Sequence, residues 1–181
     1  LALAPDSPIP PALWAPAALA LERFEAALAA SGDALPGALA GSLTRVFAAS
    51  PFVAEVATAA PAAWLAALAA PPTARGVDGY RARVAALFAD GHDEAALRAR
   101  ARWFRRTEVA AMAWRDLLGE VDLDTQLAEL SALADALVAA TELILAQGQN
   151  ERLDDAARLA QQCMAANPTH SECREAHGNV Q

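Results

Sequence analysis

Apolar residues recur along this chain at intervals of three and four, the period of amphipathic helices, and no stretch alternates long enough to predict a strand. Pro, Gly and capping residues divide the pattern into segments. We therefore predict an all-α fold, an irregular multi-helix bundle of about seven to nine helices. The predicted segments are residues 16–31 and 36–49, helices starting at Pro51 and Pro61, residues 79–90 and 94–118, a helix starting at Asp122 or Asp124, residues 153–166, and a short stretch at the end.

Several predicted helix ends carry specific signals. Ser50 is suited to be an N-cap, with Pro51 in the first helical position, and Asp93 is suited to cap the helix that follows it. Gly32 fits the position just after a helix. Ahead of the first helix, residues 1–15 are rich in Pro and predict an extended arm.

The most regular spacing lies after residue 122. Apolar positions there follow a 3-4-3-4-3 pattern, which predicts a helix face packed against neighbouring helices; they are Leu127, Leu130, Ala134, Leu137, Thr141 and Ile144. The sequence Gly148-Gln149-Asn150 is predicted to interrupt this helix. We accordingly divide the chain into a Pro-rich arm (residues 1–15), a helical domain (residues 16–145) and a divergent helical tail (residues 146–181).

Composition and charge exclude several classes of function. Hydrophobic residues make up 55% of the chain, much of it Ala, and the 14 basic residues other than His are all Arg, as is typical of a GC-rich bacterial genome. The net charge of −8 argues against nonspecific nucleic-acid binding, which needs a basic face. The uncharged run from Val56 to Ala74 contains Pro residues, and residues 1–20 lack a basic start, so we expect neither a membrane span nor a signal peptide. The expected location is the cytoplasm.

One segment of the predicted 94–118 helix concentrates positive charge. It contains Arg98, Arg100, Arg102, Arg105 and Arg106, with Trp103 and Phe104 among them. One interpretation is a patch for phosphate or nucleic acid with stacking aromatic rings. Another is a helix whose Arg stems cover apolar surface while their charged ends stay in water. A third is a surface for docking a partner, and the acidic chain as a whole favours the second.

These Arg residues belong to a longer ordered block. It reads RWFRRTE at 102–108, AWRDLLG at 113–119, DL at 122–123 and LSALADAL at 130–137, and RVFAASPFVA precedes it at 45–54. The block resembles the bifunctional glutamine synthetase adenylyltransferase/adenylyl-removing enzymes, whose helices read roughly RxFRRxE, RDLxG and ELSxLAD. The resemblance covers about residues 35–145. The motif positions, to which we assign structural or docking roles, are Arg102, Phe104, Arg105, Arg106, Glu108, Arg115, Asp116, Leu117, Gly119, Leu130, Ser131, Leu133 and Asp135.

The resemblance implies an enzyme that attaches AMP to a tyrosine of glutamine synthetase and removes it, with a nitrogen-signalling regulator as a second partner. It also implies ATP held by a Gly-rich turn and two Mg²⁺ ions held by a Ser-Asp-x-Asp motif, for an in-line displacement. This sequence contains neither motif after the ELSxLAD segment. Its pair Asp122-Leu123-Asp124 lies between two predicted helices, where Asp acts as a cap. We therefore expect an N-terminal helical fragment without catalytic residues, metal or cofactor of its own, inactive alone.

From about Thr141 onward the sequence resembles a tetratricopeptide repeat instead. Ala156, Ala160, Cys163 and Pro168 occupy positions of one half-repeat, and an ordinary pair of amphipathic helices is the alternative. This resemblance leads to a second functional hypothesis, a non-catalytic, repeat-like module that binds other proteins.

The tail also holds a set of metal-ligating residue types. Cys163, His170, Cys173 and His177 are spaced C-x6-H-x2-C-x3-H, without the closely paired ligands of structural zinc sites. We therefore predict no metal site there.

Overall fold

The computed structural model describes residues 9–89 and 93–166. Within them the chain forms seven α-helices and one 3₁₀ turn and contains no strand, which confirms the predicted all-α fold. The helices are α1 (Pro11–Ser31), α2 (Gly37–Ala49), α3 (Pro51–Ala59), α4 (Pro61–Ala69), α5 (Val77–Phe88), α6 (Glu94–Leu118) and α7 (Leu123–Ala166), and the 3₁₀ turn (Pro72–Arg75) lies between α4 and α5.

The predicted capping residues act as caps. The Ser50 hydroxyl accepts a hydrogen bond from the Val53 N–H at 3.3 Å, with Pro51 first in α3. The Asp93 carboxylate accepts one from the Ala96 N–H at 2.8 Å and starts α6. Gly32 ends α1 in the left-handed conformation, at φ 76°. Because each end satisfies backbone groups that a helix leaves unpaired, these bounds follow from the sequence.

The first helix begins earlier than the sequence pattern predicted. Residues 11–15, assigned to the extended arm, are helical, and Pro16 lies inside α1 with its ring exposed. Pro11 can start the helix because the N–H it lacks has no partner in the first turn. Pro16 removes one further hydrogen bond, and the packing of α1 against α2 and α3 outweighs that loss.

The predicted interruption at residues 148–150 is wrong, because α7 continues through it to Ala166. Gly148 is buried where the N-terminal turn of α6 crosses α7, and a Cβ on it would overlap the Glu94 carboxylate. The glycine therefore leaves room for the Glu94 side chain against α7 and does not end the helix. The same continuity contradicts the tetratricopeptide hypothesis, which requires a turn between two helices in this stretch.

The predicted packing face of α7 is also largely wrong. Of its apolar positions Ile144 is buried, but Leu127 and Leu130 are 52% and 47% exposed. The buried face lies to one side of the predicted one and comprises Glu129, Ala132, Leu133, Ala136, Ala140 and Ile144. Four-residue steps between small Ala side chains let α5 and α6 approach closely, whereas the predicted face was placed on the larger Leu residues.

Two hydrophobic clusters meet along α6. The first contains residues of the four helices α1, α2, α3 and α4 and of α6, and it is centred on aromatic rings. Trp64 makes edge contacts with Phe24 (5.6 Å between ring centroids) and Trp114 (5.3 Å). The second joins α5, α6 and α7 around Tyr80 and Leu133. Since α6 contributes to both clusters, it is the central helix of the bundle.

Among the described residues, no single helix is long and apolar enough to cross a membrane. The pair α3 and α4 meets those criteria only when taken together, and it is bent by 112°.

Candidate functional site

A groove runs between α6 and α7 on the surface of the bundle. Three arginines line its α6 side, Arg102, Arg105 and Arg106, and the ring of Phe52 closes one end. Apolar side chains form its floor and its α7 side, mainly Val109, Leu130, Leu133 and Leu137. Its volume is about 540 Å³. Five of the predicted motif residues therefore come together around one depression.

Local sequence positions the two walls of this groove. Gly119 ends α6 in the left-handed conformation, at φ 68°, which allows its N–H and that of Glu120 to bond the last carbonyls of the helix. The Asp122 carboxylate then accepts a hydrogen bond from the Thr125 N–H at 2.7 Å and starts α7. The turn is short, so the two helices run antiparallel and side by side.

The groove arginines differ in their pairing. Arg106 bonds the Glu55 carboxylate at 2.8 Å, and its guanidinium lies over the rings of Phe52 and Trp103. Arg102 and Arg105 are exposed and have no ion-pair partner in the described part of the chain. The groove thus presents unneutralised positive charge beside apolar surface, although the chain as a whole is acidic.

The compact arginine patch considered from the sequence divides into several local contacts. Arg98 pairs with Glu94 one turn earlier, and Arg100 donates to the Leu87 carbonyl at 3.1 Å. Of the five arginines of the patch, Arg102 and Arg105 face solvent without such contacts to the described residues. The patch is therefore not a continuous phosphate-binding strip, and exposed Arg102 and Arg105 beside apolar side chains agree with the interpretation that the sequence favoured, Arg stems over apolar surface with their charged ends in water.

Two other motif residues, Glu108 and Phe104, hold α5 against α6. Arg83 of α5 binds the buried Glu108 carboxylate through both of its terminal nitrogens, one of them at 2.9 Å from Oε2. The same guanidinium lies 5.2 Å from the Phe104 ring, which makes an edge contact with Tyr80. A paired, ring-stacked guanidinium of this kind fixes the relative position of the two helices.

A second buried ion pair joins α6 to α7. Arg115 binds the Glu129 carboxylate, and both side chains are at most 4% exposed. The Tyr80 hydroxyl donates to the same carboxylate oxygen at 2.9 Å, and Arg75 approaches it at 4.0 Å. Burial and the nearby Glu129 and Glu108 carboxylates raise the pKa of Tyr80 well above its ordinary value. We call these four residues the Glu129 network.

Arg115 is a predicted motif residue, but its partners are not. Glu129 is the first residue of the ELSxLAD segment, and Arg75 and Tyr80 lie in the segment from the 3₁₀ turn into α5, for which no motif was recognised. A useful signal was present: an acidic residue among positions that turn inward every three to four residues needs a cationic partner. Which cation supplies it follows only from the packing.

The other motif residues have simpler positions. Asp116 and Asp135 are exposed, Leu117 is half-buried against the first cluster, and the Ser131 hydroxyl bonds the Leu127 carbonyl of its own helix at 2.9 Å. None of these four side chains lines the groove. Of the four, Ser131 and Leu117 therefore have a local structural contact.

A second depression lies between α4, α5 and α6, with a volume of about 690 Å³. Its charged lining is Arg83 and Glu108, which neutralise each other, and Arg100, which donates to the Leu87 carbonyl; its apolar lining is mostly Ala with Trp103. It therefore offers less selective chemistry than the α6–α7 groove.

No group of three or more metal-ligating side chains occurs among the described residues. Asp122, considered from the sequence as a metal ligand, caps α7 instead. The hydrogen bond that its carboxylate accepts from the Thr125 N–H lowers the pKa of Asp122. The Cys163, His170, Cys173 and His177 set lies outside the side chains that the structure describes.

Comparison with known proteins identifies the family. The family model described as glutamate-ammonia ligase adenylyltransferase matches residues 40–166. The chain belongs to this adenylyltransferase family. The match includes both walls of the groove and continues to the end of α7, beyond residue 145, where the resemblance was expected to stop.

Two curated members of the adenylyltransferase family are similar to this chain, and both carry the name bifunctional glutamine synthetase adenylyltransferase/adenylyl-removing enzyme. The one from Thioalkalivibrio sulfidiphilus is 38% identical over 117 residues, 64% of this chain and 12% of its own length. The one from Shewanella loihica is 36% identical over 63 residues, 35% of this chain and 7% of its own length. The chain therefore spans only about an eighth or less of these relatives. No solved structure matches it significantly.

Proposed function

We propose that this chain is a helical segment of an enzyme that adenylylates glutamine synthetase and removes the adenylyl group. In this proposal the segment supports the catalytic part of the enzyme and docks its protein partners, and it is not the catalytic centre. The family match over residues 40–166 and the printed names of the two relatives support the reaction. Glutamine synthetase is then the proposed partner, a nitrogen-signalling regulator the second, and the cytoplasm the proposed location.

The division of the motif residues into two sets carries the proposal. Glu108 and Arg115 are buried in ion pairs between helices, and Leu133 is buried in the second cluster. Arg102, Arg105 and Leu130 instead surround the groove and are exposed. Burial explains the first set through stability, whereas an exposed set that combines charge with apolar surface is typical of a binding face.

The sites for ATP and Mg²⁺ are inferred from the sequence. The Gly-rich turn and the Ser-Asp-x-Asp motif that the resemblance implies do not follow the ELSxLAD segment of this chain. We therefore propose that ATP and Mg²⁺ bind to another part of the enzyme, and that this segment positions partners.

A transfer assay tests the catalytic half of the proposal. The purified chain is incubated with radiolabelled ATP, Mg²⁺ and glutamine synthetase, beside a full-length enzyme of the kind found in Thioalkalivibrio sulfidiphilus. We expect label on glutamine synthetase only with the full-length enzyme. Label transferred by the chain alone would show that catalysis does reside in it.

A competition assay tests the docking half. Excess chain added to the full-length reaction should slow adenylylation, because it occupies the surface that its groove recognises. The double variant Arg102→Glu/Arg105→Glu should lose this inhibition, and Arg81→Glu should retain it, since Arg81 is exposed on α5 away from the groove. An unchanged rate at saturating chain would contradict the docking role.

A further inference from the structure

The groove extends beyond the depression of about 540 Å³ described above. A second depression of about 200 Å³ continues it past Arg102 and is lined on α7 by Thr141, Ile144 and Leu145. From Leu130 to Leu145 the α7 wall extends about 22 Å at 1.5 Å per residue. The combined trough therefore matches an α-helix of about four turns.

The apolar wall of this trough has no covering element among the described residues. Leu130 and Leu145 are 47% and 46% exposed, and Leu127 continues the same line at 52%. Leu127 and Leu130 belong to the stripe from which the sequence predicted a packed face, and Leu145 lies on the same side of the helix. An apolar surface of this length on a helix fits another apolar helix face.

The opposite wall carries charge of one sign. Arg98, Arg102 and Arg105 lie on one face of α6 above the trough, and Arg102 and Arg105 have no ion-pair partner among the residues described. A carboxylate placed along this wall would gain a charge-assisted hydrogen bond, whereas a Lys or Arg there would be repelled. The trough is therefore selective for acidic residues along one edge of its occupant.

We propose that the trough binds an amphipathic helix of a partner protein, about four turns long, with an apolar stripe facing α7 and Asp or Glu residues along the edge facing α6. The inference rests on the proposed docking role and adds the chemistry of the partner to it. An acidic helix satisfies both walls simultaneously, which neither an extended polyanion nor a purely apolar segment does.

A designed peptide tests the proposal directly. The probe is a fluorescein-labelled helix of about four turns with Leu on one face and Glu along one edge. One control peptide carries Lys in place of Glu, and another has the same composition with its Leu residues dispersed around the helix. Fluorescence anisotropy with the full chain measures the dissociation constant of each.

The acidic amphipathic peptide should bind at least about tenfold more tightly than either control peptide. The Arg102→Glu/Arg105→Glu variant should weaken its binding by about tenfold or more and improve binding of the Lys peptide, whereas Arg81→Glu should change neither. Leu130→Ser should also weaken the acidic peptide, and circular dichroism verifies that each variant keeps its helical content.

Three results would overturn the inference: equal binding of the acidic and basic peptides, displacement of the peptide by heparin with no dependence on the Leu face, or concentration-dependent self-association that Arg102→Glu/Arg105→Glu abolishes. The last would identify a second copy as the occupant. The competition assay separates this inference from the proposed function. Peptide binding without inhibition of adenylylation would contradict the proposed docking role. Inhibition without peptide binding would contradict the proposal that the trough binds an acidic helix.

Discussion

At the scale of single residues, the buried carboxylate of Glu129 is the meeting point of three elements. Arg115 from α6 and Tyr80 from α5 both bond it, and Arg75 from the 3₁₀ turn lies 4.0 Å away. Among the described residues, Nε and Nη1 of Arg115 have no hydrogen-bond partner, so Glu129 is the main compensation for that buried charge. Removing Glu129 or Arg115 alone therefore leaves the other charge buried and unpaired, which lowers the free energy of unfolding more than removing both does.

Replacing Glu129 with Gln should destabilise the chain strongly. The change leaves the Arg115 guanidinium buried without a counter-charge, for which we expect a loss of about 3 to 5 kcal/mol in the free energy of unfolding. Urea denaturation followed by circular dichroism measures it. The control Glu142→Gln, on the exposed side of the same helix, should lie within about 0.5 kcal/mol of the parent. A similar small effect from both substitutions would contradict the role assigned to Glu129.

Tyr80, the sole tyrosine of the chain, should make folding stability depend on alkaline pH. Its pKa is raised in the folded state, so its stabilising contribution is complete below the unfolded pKa of about 10 and declines as the pH rises above that value. Tyrosinate absorbance should therefore appear together with unfolding, and not in a separate native titration.

The variant Tyr80→Phe provides the control for this prediction. It should remove the alkaline loss of stability that comes from tyrosine ionisation, at the cost of one hydrogen bond to Glu129. Native tyrosinate forming near pH 10 without any loss of helical content would show that Tyr80 is accessible, against the structure.

At the scale of elements, α7 shows how two neighbouring leucines of one motif acquire different roles. Leu133 is 1% exposed within the second cluster, whereas Leu130, one turn earlier, is 47% exposed at the groove. Periodicity alone assigned the inward face to Leu130, because both residues fit a helical repeat of apolar positions. The correct face depends on how closely the Ala positions of α7 approach α5 and α6.

The matched substitutions Leu133→Ala and Leu130→Ala should therefore separate stability from binding. Leu133→Ala leaves a cavity in the core and should cost about 2 to 5 kcal/mol of unfolding free energy. Leu130→Ala should change the free energy of unfolding by no more than about 0.5 kcal/mol but weaken binding of the acidic peptide. Thermal denaturation and the anisotropy assay measure the two effects, and equal destabilisation by both variants would contradict the assigned faces.

At the scale of the whole molecule, α6 links the two hydrophobic clusters. Ala110 and Trp114 belong to the first cluster and Met112 to the second, so neither cluster can lose α6 without exposing the apolar face of the other. Both buried ion pairs between helices also include an α6 residue, Glu108 or Arg115. The described helices should therefore unfold as one cooperative unit.

Two intrinsic probes test this cooperativity. The buried tryptophans, Trp64 and Trp114, lie in the first cluster, and Tyr80 lies in the second. In a Trp14→Phe/Trp103→Phe background, which removes the two exposed tryptophans, fluorescence of Trp64 and Trp114 and ultraviolet absorbance of Tyr80 should follow the same urea transition, with one midpoint. An earlier midpoint for Tyr80 would mean that α5 and α7 open independently of the aromatic cluster.

The sequence alone determined the helical class, most of the helix ends and the membership of the motif. Caps, prolines and glycines act through neighbouring backbone groups, so Ser50, Asp93 and Gly32 could be interpreted without knowing the fold. The Arg and Leu order of residues 102–137 likewise indicated the family directly.

Only the tertiary structure decided which motif residues are buried, which partners neutralise them and which face of α7 remains open. Those outcomes depend on residues far apart in the chain, such as Tyr80 with Glu129 or Gly148 with Glu94. Tertiary packing also keeps α7 helical at Gly148, because packing against α6 outweighs the weak helix preference of glycine. The open groove is a consequence of that packing: Ala residues of α7 turn inward with Leu133 and Ile144, and Leu127, Leu130 and Leu145 remain exposed.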